Sequence, residues 1–260
     1  MKALLSWALL LILASFGFAT QKTWAGLEYG AEALFRSYPL SASLTGRLGY
    51  GLVLWGDSGR GDSPWYGYVK PELKLTSVGT YNAGALQFKI FPISFLGFVA
   101  GGEMVSNSSA YQAYDCDTYR CVGKSWQTYV EANLALALGP AFLLGKAGHE
   151  DWHQAADQDR DFINPTYGLV TKKEGDRIRY ASGVVGYKYD EKWTMIYTYL
   201  WAQMQEIKGQ SQMHLGLAQW SQGAWKVAIG AGTFESEIKD EQFTALFRVQ
   251  WHGTPTLELF

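Results

Sequence analysis

Residues 147–161 read AGHEDWHQAADQDRD, and His149, Glu150 and His153 within them form H-E-x-x-H. On a helix, two imidazoles at that spacing share a face and can ligate zinc, with the glutamate placed as general base for a bound water. The surroundings depart from that chemistry. Asp151 puts a charge between Glu150 and His153, where zinc hydrolases usually carry none, and no later His-bearing extension supplies the third protein ligand that a catalytic zinc needs. Asp157, Asp159 or Asp161 could supply one only through folding of a loop. The narrower expectation is a divalent cation held by His149, His153 and one of these aspartates in a polar loop, and no other cofactor.

Other residue types suggest further chemistry. His214 lies near Ser211 and His252 stands near the end of the chain, but no G-x-S-x-G elbow accompanies them. Arg60-Gly61-Asp62 within GRGDSP has the sequence of an adhesion tripeptide, in residues that also suit a turn. Asn107-Ser108-Ser109 matches a glycosylation acceptor, and its residue types also suit a polar loop.

The elements that must position these groups have a consistent pattern. Lys2, the apolar run Ala3–Leu13 and Gly17-Phe18-Ala19 have the form of a secretory signal peptide over residues 1–19, which leaves 20–260 as one domain. In an exported chain, Cys116 and Cys121 of DCDTYRC are expected to close a small disulfide loop. With 22 Lys+Arg against 24 Asp+Glu there is no basic footprint for nucleic acid. Beyond the leader, no apolar run reaches the roughly 18 residues of a membrane helix; the nearest, Leu134–Leu144, is broken by Gly139-Pro140.

What repeats is alternation. Phe243, Ala245, Phe247, Val249 and Trp251 share one face, and Thr244, Arg248, Gln250 and His252 the other. Trp193 to Trp201, Trp225 to Ala231, Trp126 to Leu138 and Leu44 to Leu54 do the same, which predicts long antiparallel strands. Tryptophans gather at the strand ends, among them Trp55, Trp65, Trp126, Trp193, Trp201, Trp220, Trp225 and Trp251, and the second face is small or polar. That combination predicts a transmembrane β-barrel with aromatic girdles.

The whole chain from residue 20 resembles a Gram-negative outer-membrane β-barrel protein, and the final Phe260 looks like the terminal aromatic of the class's assembly signal. Glu258 and Thr256 occupy the phase of that residue where the class usually has apolar side chains. The resemblance implies an all-β, up-and-down antiparallel barrel in the bacterial outer membrane. Its implied partners are the bilayer, outer-leaflet lipopolysaccharide and the barrel-assembly machinery. An even number of strands is implied, about twelve within a range of ten to fourteen, drawn from candidates that include a short segment at 165–173. The longest connections, 106–125 and 150–164, are expected outside and Gly139-Pro140 on the periplasmic side.

Inward phases give a pore lining of Arg47, Lys70, Glu72, Lys74, Lys89, Glu131, His214, Lys226 and Arg248, joined by His252. Such a bore is net positive and favours anions. The expected function is a porin-like channel for passive diffusion of small polar solutes, not an enzyme. The alternatives are a closed structural or surface-interaction barrel acting through its outer loops and, further off, an outer-membrane lipid hydrolase or protease.

Overall fold

The computed structural model describes residues 25–38, 40–56, 65–110, 115–154, 160–164 and 166–254. The expected leader, GRGDSP, Asp157, Asp159 and the terminal TLELF lie outside the described residues. In chain order the strands are β1 (Ala25–Arg36), β2 (Ser41–Gly56), β3 (Tyr66–Ser77), β4 (Tyr81–Ile93), β5 (Leu96–Asn107), β6 (Gly123–Leu138) and β7 (Ala141–Gln154). They continue as β8 (Phe162–Asn164), β9 (Leu169–Thr171), β10 (Asp176–Lys188), β11 (Trp193–Met204), β12 (Gln210–Gln222), β13 (Trp225–Ser236) and β14 (Lys239–His252).

Twelve of these form a closed antiparallel barrel in which sequence neighbours pair, β7 pairs with β10, and β1 pairs with β14 from Gly30↔His252 to Arg36↔Leu246. The remaining two, β8 and β9, form a separate hairpin within the β7–β10 connection. The strand expected at 165–173 is therefore half of this hairpin and not a stave of the barrel.

Period two makes the barrel. On β2 the even positions Leu44, Leu48, Leu52 and Leu54 are exposed, while Thr45, Gly49 and Val53 between them are buried. The same inversion runs around the wall, with Leu73, Leu75, Leu86, Phe88, Phe98, Leu136, Val185, Ile229 and Phe247 all facing outward. A water-soluble barrel would hide these side chains; a band of them around a closed sheet is a surface made for lipid.

β1 begins and β14 ends at one end of the barrel, the periplasmic end in this class. Gly139-Pro140 turns the chain there, between Leu138 and Ala141, which are paired. Gly139 has φ +58°, as the first position of a tight primed hairpin turn requires, and proline suits the second. The long connections 108–122 and 155–175 leave from the opposite, outer end.

Candidate functional site

Inside the barrel the charged residues are concentrated on β1–β7 and linked in chains. Lys70 is buried, with its ammonium 2.9 Å from Glu28 and 3.1 Å from Glu72. Glu72 also meets Lys89 at 3.3 Å and accepts a hydrogen bond from the amide of Gln87, whose carbonyl accepts the phenol of Tyr129 at 2.8 Å. Gly49 makes room for this cluster: a Cβ there would lie 3.2 Å from the carbonyl of Pro71 and 3.3 Å from the stem of Lys70. A second chain centres on Glu131, which accepts from Tyr180 at 2.9 Å and Asn133 at 3.0 Å and pairs with Lys146 at 3.4 Å. On the closing side, Glu32 meets Arg47 at 3.7 Å and Gln250 at 2.5 Å, and Arg248 donates to Gln219 at 3.2 Å.

Between these chains lies a cavity of about 400 Å³, with Arg47, Lys74, Lys89 and Lys146 as bases and Glu72 and Glu131 as acids in its wall. A twelve-stranded barrel is wider than the eight-stranded kind that side chains alone can fill, so space remains unless a segment folds into it.

Above the cavity, a segment does fold in. The β8–β9 hairpin enters the outer half of the lumen with Phe162, Ile163, Asn164, Tyr167, Leu169, Val170 and Thr171 all buried. It packs on Ala83, Val105, Trp152, Ile178, Tyr180, Ala202 and Met204 of the barrel wall. The phenol of Tyr167 donates to the Glu150 carboxylate at 2.9 Å, and the Trp152 indole donates to its other oxygen at 2.9 Å. Burial, and then the negative charge of Glu150, hold the Tyr167 phenol well above the ordinary tyrosine value, so it stays protonated as the donor. The disulfide loop lies over the hairpin: Cys116 and Cys121 are bonded, the Ile163 amide donates to the Arg120 carbonyl at 3.0 Å, the Arg120 amide donates to the Asp161 carbonyl at 2.8 Å, and Cys121 packs with Ile163. Asn107 is buried and donates to the carbonyl of Cys121, so it anchors this loop and is not part of an open polar one.

Of the expected lining, Arg47, Lys70, Glu72, Lys74, Lys89, Glu131, Lys226 and Arg248 stand on inward phases, as does His252, beside a smaller cavity near Glu28. His214 does not. Its ring lies on the outer wall, with Nδ1 2.7 Å from the Tyr197 hydroxyl and the ring 4.7 Å from that of Tyr199. The inward phase of β12 is odd along its whole length, with Ser211 and Leu215 buried; Ser211 faces the lumen and cannot act as a nucleophile for the outward His214.

The interior is also less positive than expected, because Glu28, Glu32 and Glu150 face it as well. Glu28 and Glu32 follow the alternation of Leu27, Tyr29, Ala31, Ala33 and Phe35, which was legible. Glu150 was hidden by its placement in a loop.

HEDWH is a strand, not the start of a loop: β7 runs to Gln154, and the connection begins at 155. His149, Asp151 and His153 point outward and Glu150 and Trp152 inward. Four residues of strand separate the two imidazoles by about 13 Å, too far to share one ion, whereas a helix would have stacked them. His153 instead stacks on Trp126 at 4.3 Å, and Asp151 is taken by Arg177 through contacts of 2.6 and 3.1 Å. Among the described residues no group of three metal-ligating side chains comes together.

A closed twelve-stranded sheet, apolar outside and charged within, defines a membrane-spanning β-barrel of the bacterial outer-membrane class. Solved structures similar to this chain include the NanC porin, at 10% identity and TM-score 0.46 over 86% of this chain and 98% of that one. The KdgM porin follows at 11% identity and TM-score 0.43 over 86% and 98%, and OmpT of Vibrio cholerae at 9% and 0.45 over 90% and 99%. Neither a family model nor a curated relative matches the sequence.

Proposed function

We propose that this protein is a gated channel for small polar solutes, held closed by its β8–β9 hairpin. The carrying observation is the cavity of about 400 Å³ beneath the hairpin, hollow and walled by charged side chains where a scaffold barrel would be packed. Bases exceed acids in that wall, which supports a preference for anions once the outer mouth is free. Solute would pass by diffusion, filtered by bore width and lining charge, with no chemical step.

A second reading, a closed structural barrel acting through its outer loops, is favoured by the near-complete burial of the hairpin. Planar-bilayer recordings separate the two. The native protein is expected to be mostly silent with rare openings, and replacing residues 155–175 by a short Gly/Ser linker is expected to give sustained, discrete conductance. A refolded, heat-modifiable barrel that stays silent after this replacement would leave the closed reading standing.

A further inference from the structure

Most of the outward surface is apolar, but one sector at the outer end is not. On β7, Leu143, Gly145 and Ala147 give way to His149, Asp151 and His153 on the same face. Directly opposite on β10, Arg179 pairs with His149 and Arg177 with Asp151. On the other side Trp126 of β6 pairs with His153, and Lys124 lies exposed two residues further toward the rim. With strands about 4.8 Å apart and about 6.8 Å between alternate residues, His149, Arg177 and Arg179 fit within one patch roughly 10 Å across.

The height of this patch points to its ligand. A strand tilted by about 40° climbs roughly 2.5 Å per residue, so His149 stands about 20 Å above Ala141, Asp151 about 25 Å and His153 about 30 Å. The apolar band of such barrels is about 25 Å tall, which puts the patch at the outer boundary between hydrocarbon and headgroups. Asp151 is the one carboxylate among the described outward residues of this sector, and Arg177 occupies both of its oxygens. Among the described residues Arg179 has a single long contact, 3.5 Å to the amide oxygen of Gln205, leaving most of its guanidinium fork for another acceptor. Cations at a lipid boundary are stabilised by anions at the same depth, and a guanidinium matches phosphate in particular.

We propose that this sector binds the phosphorylated sugar headgroup of an outer-leaflet glycolipid, the lipid A portion of lipopolysaccharide. Arg179 forks onto a phosphate and His149 flanks it, while Trp126 and Lys124, about 13 and about 20 Å further along the strands toward the rim, border only the outer sugars of the headgroup. The proposal rests on the outer-membrane reading of the fold and is independent of whether the lumen conducts.

Native mass spectrometry of the detergent-purified full chain, titrated with bisphosphorylated lipid A, tests it. One lipid A is expected to bind. Arg179→Gln combined with His149→Gln is expected to weaken binding by roughly tenfold or more, since a charge-assisted pair is lost. Lys239→Gln, on the far side of the barrel, should bind as the native chain does. Dephosphorylated lipid A should bind the native chain as weakly as bisphosphorylated lipid A binds the double variant. Equal affinity of native and double-variant chains would overturn the proposal, as would displacement of the lipid by millimolar inorganic phosphate. Heat-modifiable migration and recovery in the outer-membrane fraction verify the barrel reading separately, so its failure is distinguishable from failure of the site.

Discussion

Tyr167, in the turn of the inserted hairpin, donates a 2.9 Å hydrogen bond to Glu150 on the barrel wall, and Trp152 donates at 2.9 Å to the second oxygen of the same carboxylate. The central residue of H-E-x-x-H thus serves as the polar anchor of the hairpin. The packing of Phe162, Tyr167 and Leu169 holds the segment in place, and the hydrogen bond to Glu150 ties its turn to the barrel wall.

Removing that tether should loosen the hairpin without emptying its apolar site. Tyr167→Phe loses one hydrogen bond to a carboxylate, at a cost of about 1–3 kcal/mol. The open population should then rise between about five- and 150-fold. Open probability in planar bilayers measures this; no change, alongside steady conductance from the linker variant, would show that the tether does not hold the gate.

Lys70 sits between Glu28 and Glu72, with side-chain exposures of 3%, 8% and 6%. Lys70→Met leaves two buried carboxylates without their shared cation, which should destabilise the barrel by about 3–5 kcal/mol. Guanidinium unfolding in vesicles, followed by tryptophan fluorescence, should show a lower midpoint. An unchanged midpoint would mean that the pair is more hydrated than the packing implies.

Lys74 lines the main cavity, where Arg47, Lys74, Lys89 and Lys146 stand against Glu72 and Glu131. Lys74→Glu, made in the chain with residues 155–175 replaced, brings the lining to balance. The reversal potential in a salt gradient should move from the anion side to near zero. A shift of the same size from Lys239→Glu, outside the lumen, would show that the cavity is not the filter.

His149 and His153 should behave as separate imidazoles toward zinc. Calorimetry is expected to show weak, non-saturating heat, changed little by His149→Ala or His153→Ala alone. A one-to-one isotherm abolished by either substitution would mean that the two side chains do meet on one ion.

The barrel itself was legible because its cause is local. Alternation on β2, β6, β11, β13 and β14, with tryptophans at the strand ends, specifies strands of the observed length and a wall with one lipid-facing side. Eight of the nine expected lining residues follow from the same parity, and so do Glu28 and Glu32, once β1 is read in phase with Leu27 and Phe35. Parity fails where the apolar signal thins. Around His214 both faces of β12 mix small, polar and apolar residues, and around HEDWH the strand continues on hydrogen bonds to β6 and β10 rather than on hydrophobic pattern.

By itself, the sequence determined where most of the barrel strands lie, which face of most of them meets lipid, and that Cys116 and Cys121 pair, because these depend on neighbours a few positions apart. Tertiary structure alone decided that β8 and β9 turn inward and fill the outer lumen. A short apolar hairpin is compatible with a stave, a surface loop or a plug. Only the width of a twelve-stranded barrel, and an apolar wall of Trp152, Ile178, Tyr180 and Met204 from strands distant in sequence, selects the last of these.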